Sequence, residues 1–244
     1  MSRLDPAKAK VQWAEKHFGD FKDIILGRSS GTDTRKTTVI HYQFQGQPSP
    51  APANFLAPSR ECRLAFGDAI HQLRSALDHI VYVMVQPLTT DPKILRKVDF
   101  PIYVDDALFK GTKSFKHLGT LLRLDQFAAI VRTQLYERNV TAPQTDPLWI
   151  LSELDNINKH RTILVVDPRL MTVRKGADGQ VRVVKQPLVP GAIGFRPQLP
   201  APDEVDVQDP AFTVVLSETG LAYDNRIVFG VWRELIDNVK AVIT

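Results

Sequence analysis

Apolar residues recur with helical rhythm through the first two thirds of the chain. Asp5-Pro6 offers an N-cap followed by proline at the first helical position, and Val11, Ala14, Phe18, Phe21 and Ile25 then follow at 3-4-3-4 spacing. This predicts a helix of about six turns, ended by Gly27 and the Ser29-Ser30-Gly31 cluster. Ser59 can cap the longest helix, which runs to about Gln86 and stops at Pro87. Its seam is Phe66, Ile70, Leu73, Leu77, Ile80 and Met84. Asp125 caps a helix to about Tyr136, and Asp146-Pro147 opens another to about Val165. Val228, Val231, Leu235, Val239 and Val242 mark a closing amphipathic helix.

Elsewhere the rhythm changes. Residues 37–45 are β-branched and aromatic and read as a strand. Residues 47–58 carry Pro48, Pro50, Pro52 and Pro58 and read as an extended connector. Phe100-Pro101-Ile102 is a short extended piece. Residues 171–174 and 181–184 flank Ala177-Asp178-Gly179, a hairpin signal, and residues 212–217 read as a further strand. The order predicts an α+β fold: a mainly helical bundle packed against a small, mostly antiparallel sheet that residues 37–45 join. One domain covers residues 1–244, with a mainly helical part (1–166), a strand-rich part (167–224) and a closing helix (225–244).

With 244 residues, 43% of them apolar and 24% charged, the chain has the balance of a globular protein. Its single cysteine, Cys62, excludes an intramolecular disulfide and reads as a small buried residue. The first residues lack the apolar core of a secretory signal, and no apolar run approaches the ~20 residues of a membrane span. The expected location is therefore cytoplasmic, with no membrane partner. Net charge is +4, a mild excess that is compatible with nucleic acid without demanding it. The basic cluster Arg169, Arg174, Lys175, Arg182 and Lys185 and the acidic run Asp203, Glu204, Asp206 and Asp209 read as solvated surface. Glycine-rich phosphate loops, the Gly-x-Gly-x-x-Gly fingerprint and the Gly-x-Ser-x-Gly elbow are missing, which speaks against nucleotide-fuelled and serine-hydrolase chemistry. No cofactor is implied.

Candidate chemistry lies on the longest helix. Asp68, His71, Ser75, Asp78 and Tyr82 repeat at 3-4 spacing nearly opposite the apolar seam. Short polar groups of this kind suit a half-buried hydrogen-bonded layer better than open water. Arg74 adjoins them, one turn from Asp78, so the two can pair. A second block, Asp155-Asn-Ile-Asn-Lys-His160-Arg161, sits on the Asp146 helix. There His160 shares an edge with Glu153 and Asn156 close to Ile150 and Ile157, and is expected to reach His71, Asp78 or His79 if the two helices pack.

The segment Arg74-Ser-Ala-Leu-Asp-His79 resembles the Arg-four-residue-His motif of the HEPN superfamily, bacterial helical proteins that include many ribonucleases. Leu73-Arg-Ser-Ala-Leu-Asp-His79 with Asn156-Ile-Asn-Lys-His-Arg161 also resembles an uncharacterised bacterial helical family. The HEPN resemblance implies metal-independent RNA cleavage. Arg74 would stabilise developing phosphate charge, and His79 would act as acid or base while the 2′-hydroxyl attacks. Ser75 stands where that motif usually carries Asn, Asp or His. Five residues of helix also set Arg74 and His79 about 140° apart, so a shared pocket needs a bend or a second subunit in a homodimer.

Three readings follow. One is a HEPN-like ribonuclease, or a degenerate relative, built on Arg74, His79, Asp78, His71 and His160. Another is a non-catalytic interaction or ligand-binding protein with a buried polar network. The third is a metal-dependent hydrolase using His71, Asp78 and His160, although the ligand spacing of known metal motifs is missing and no bound metal is expected.

Overall fold

The computed structural model describes residues 4–25, 39–44, 47–52, 58–138, 141–160, 166–175, 181–187, 211–216 and 226–244. In the strands only Val166, Val215 and Leu216 are described to the side chain.

Helix α1, Asp5–Ile25, buries Ala7 together with the whole predicted stripe from Val11 to Ile25. Helix α2, Arg60–Val85, is the longest element. Ser59 Oγ accepts from the Cys62 amide at 3.2 Å, and a 3₁₀ turn containing Pro87 follows Val85. The predicted seam of α2 is buried from Phe66 to Ile80, with Met84 half-buried at its end. Burial pushes the Cys62 thiol up to about 12, so this group is unreactive at neutral pH.

Short helices fill the stretch between α2 and the next long one: α3 (Pro92–Leu95), α4 (Asp106–Gly111), α5 (Lys113–Leu121), α6 (Leu124–Arg132) and α7 (Leu135–Arg138). The helix expected to be capped by Asp125 has its cap two residues earlier, at Arg123, and breaks at Thr133-Gln134 before α7. Helices α4 and α5 were not expected. They are six and nine residues long, too short for an apolar period to stand out, and are set by the caps Asp105 and Thr112. Helix α8 covers Pro147–His160, and residues 161–165 of its predicted length lie outside the described residues. The closing helix α9, Val228–Ile243, buries Val228, Val231, Leu235 and Val239 as predicted.

Helix α1 lies along α2, and α8 and α9 close around them. Phe18 stacks on Trp232 at 4.3 Å, and Phe21 and Phe66 sit 5.3 Å apart, so α1, α2 and α9 share one aromatic cluster. At Gly67, α2 meets the side chain of Asn158 on α8. A Cβ there would lie 2.8 Å from Asn158 Cγ, so the side chain of Asn158 takes the space that any other residue would fill.

This architecture corrects the expected fold class. Of the residues described to the side chain, 79% are helical and 3% are in strands. The core is made by helices packing on helices rather than by a bundle laid on a sheet, and the protein is helical, not α+β. The strand segments form hydrogen-bonded ladders at backbone level only: β1 (Val39–Phe44) with β2 (Gln47–Pro52), and β3 (Val166–Lys175) between β4 (Val181–Pro187) and β5 (Ala211–Leu216). Residues 37–45 were expected to join the later strands, but β1 pairs with the proline-rich segment itself. Prolines at every second position leave the N–H groups of the intervening residues for a single edge, and β1 takes it. The second ladder gives the core Val166, Val215 and Leu216, and the Leu216 amide donates to the Arg226 carbonyl at the entrance to α9. Among the described residues, no helix is long and apolar enough to cross a membrane.

Candidate functional site

In the polar stripe of α2, His71, Ser75 and Asp78 are half-buried as expected, whereas Asp68 and Tyr82 at its ends are exposed, and two neighbours cover its middle. One is the extended segment 99–103. The other is α8.

The extended segment has no ladder to satisfy its backbone, so side chains do so. Arg74 Nη2 donates to the Phe100 carbonyl at 2.8 Å, and the Phe100 amide donates to Asp78 Oδ1 at 2.9 Å. Arg74 Nη1 lies 2.8 Å from the same Asp78 oxygen, an ion-pair contact that closes a ring of three groups. Arg74 is only 12% exposed, and the ring of Phe100 is buried beneath it in the core. From the far side, Gln134 Nε2 donates to the Pro101 carbonyl at 2.9 Å and Gln134 Oε1 accepts from the Tyr103 amide at 3.1 Å.

Helix α8 is held by a carboxylate. Asp155 is 2% exposed and accepts from His71 Nδ1 at 3.0 Å and from Lys159 Nζ at 2.6 Å. Both partners are partly open to water, so these contacts lie at the edge of the core rather than deep within it. Asp155 continues the apolar stripe of Leu148 and Leu151 at helical spacing. A carboxylate in that register is the signal that sequence reasoning passed over.

Among the candidate residues, the structure brings Arg74, Asp78 and His71 to one side of α2. It separates the other two from them. The α2 helix is uninterrupted, and His79 Nδ1 donates to the Ser75 carbonyl at 3.0 Å, one turn back along its own helix. His160 is exposed at the end of α8, on the solvent edge that it shares with Asn156. The expectation that α8 packs on α2 through these two sequence blocks is met, but Asp155 makes the contact that was assigned to His160. The groups named as metal ligands therefore engage different partners. Among the described residues, no cluster of three His, Cys, Asp or Glu side chains has metal-binding geometry.

Between these attachments lies an open polar cleft of about 390 Å³. Arg74 and Asp78 of α2, residues 99–103, and Ser152, Asp155, Asn156 and Lys159 of α8 line it. Comparison with protein-family models, with curated proteins and with solved structures gives no match to this chain. The chemistry of the cleft is thus read from its own groups.

Asp99 was not among the residues singled out. Its side chain stands at the open rim of the cleft, yet the surrounding walls push its carboxyl above the ordinary value. Arg74 draws it back in part, and the negative charge of Asp78 adds to the rise. The folded protein therefore holds this proton more tightly than the unfolded chain does. The ionised carboxylate costs stability once pH rises through the raised value, and that cost vanishes below the ordinary aspartate range. Asp99→Asn is expected to raise the melting temperature at pH 7 and to leave it unchanged at pH 3. An equal shift at both pH values would mean that charge is not the cause.

Proposed function

We propose that the protein is a non-catalytic binding protein for a small polar ligand, and that its two polar sequence blocks build the binding cleft. One observation carries this reading. The charged signature residues at the cleft are each committed to another protein group, Arg74 to Asp78 and Phe100, and Asp155 to His71 and Lys159. Such groups hold walls in place. An acid–base pair for RNA cleavage needs a histidine beside the phosphate-binding cation, whereas His79 is tied to its own helix and lies outside the cleft lining. The volume of the cleft falls within the range of small-molecule sites, and its mix of fixed charges and backbone groups suits orientation of a charged ligand.

Amide spectra of the isotopically labelled protein test this reading, with a mixture of amino acids, polyamines and dicarboxylates as the probe. The expected result is selective shifts at residues 99–103 and 152–159, with every added compound recovered unchanged. Shifts confined to other surfaces, or consumption of a probe, would overturn it.

A further inference from the structure

We infer that the cleft recognises a zwitterion of amino-acid type, with Asp99 receiving its cationic group and the polar face of α8 receiving its carboxylate. This rests on the binding reading above and names the ligand class.

The charges around the cleft do not all cancel. Arg74 and Asp78 form one ion pair, and Lys159 and Asp155 form another. Asp99 is left over. The cation nearest to influence it is Arg74, whose two Nη atoms already face Asp78 and the Phe100 carbonyl. A carboxylate at the rim of a cleft, beside a second carboxylate and compensated only in part by Arg74, is stabilised further by a ligand that brings a cation of its own. The backbone around Asp99 is rigidly placed, because Phe100, Pro101 and Tyr103 are each bound by a side chain from α2 or by Gln134. Asp99 is therefore presented in a fixed position rather than on a loose loop.

The α8 wall has the complementary character. Ser152, Asn156 and Lys159 bring a hydroxyl, an amide and an ammonium into the lining. Lys159 uses one direction of Nζ for Asp155, and an ammonium has three N–H donors, so two remain for an acceptor in the cleft. A ligand with only a cation leaves these donors to water, and a ligand with only an anion meets the partly compensated Asp99. A compound with both charges satisfies both walls at once.

Isothermal titration of the full chain at pH 7 provides the test, with L-lysine and L-arginine as probe zwitterions. Cadaverine and agmatine carry the same cations without the carboxylate, and glutarate carries carboxylates without a cation. The amino acids should bind at least tenfold more tightly than either control class. Asp99→Asn should weaken them at least tenfold while the variant remains folded, as its raised melting temperature reports. Lys159→Met should lower the preference for the amino acids over cadaverine and agmatine at least tenfold. Glutarate binding as tightly as the amino acids, or an Asp99→Asn variant with unchanged affinity, overturns the zwitterion assignment and leaves the binding reading standing. Failure of both amino acids to bind also overturns the assignment. If the labelled-protein spectra then show no response in the cleft to any probe, the binding reading falls with it.

Discussion

Leu73→Ala and Leu77→Ala should each lower the stability of the protein by about 2–5 kcal/mol. Both leucines are fully buried at the centre of α2, where α1, α8 and α9 converge on it. Each truncation removes buried methyl groups and leaves a cavity lined by rigid helix faces, which have little freedom to collapse inward. Chemical denaturation measures the effect, and a loss below half a kcal/mol at both sites would place the core on another face of the helix. Trp13→Ala offers a contrast on α1, because that ring is half exposed and its ring contacts among the described residues are with Lys16 and His17 of the same helix. Its replacement should cost well under 1 kcal/mol.

The second large effect concerns Asp155. Removing both of its partners, through His71→Ala with Lys159→Met, strands a carboxylate that is almost wholly buried. The expected loss is about 3 kcal/mol, most of it the penalty of an uncompensated charge rather than the value of the two contacts. Adding Asp155→Leu to the same background should recover most of that loss, since a leucine extends the apolar stripe of Leu148 and Leu151. Equilibrium denaturation of the double and triple variants distinguishes the two contributions. A triple variant less stable than the double would mean that Asp155 holds α8 by something other than these ion pairs.

These two predictions also mark what the sequence made legible. The apolar stripes of α1, α2 and α9 were readable because long amphipathic helices repeat their pattern over several turns, and each buries the expected face. The class of the fold was misjudged for a different reason. Several segments do have extended backbones, but strand-like composition reports local conformation and cannot tell whether a sheet becomes a layer of the core. The short helices α4 and α5 escaped because capping residues, not periodicity, define them.

The candidate site was legible in part. Arg74, Asp78 and His71 stand where the polar stripe of α2 put them, and Arg74 pairs with Asp78 as their spacing indicated. His160 drew attention as a histidine, whereas the residue that crosses to α2 is a carboxylate set in an apolar register five positions earlier. Asp99 offered no periodic signal at all. Its position follows from the tertiary anchoring of Phe100, a ring whose burial only the folded structure reveals.

The claim that the Arg74–His79 segment is architecture rather than an active site has one most direct test. Purified wild-type protein, Arg74→Ala and His79→Ala are incubated with single-stranded RNA in a chelator, and their melting temperatures are measured alongside. None of the three should cleave the RNA. Arg74→Ala should also have a lower melting temperature, by an amount that reflects about 2 kcal/mol for its lost bonds to Asp78 and Phe100. Metal-independent cleavage by the wild-type protein, abolished in a His79→Ala variant that melts normally, would contradict the claim.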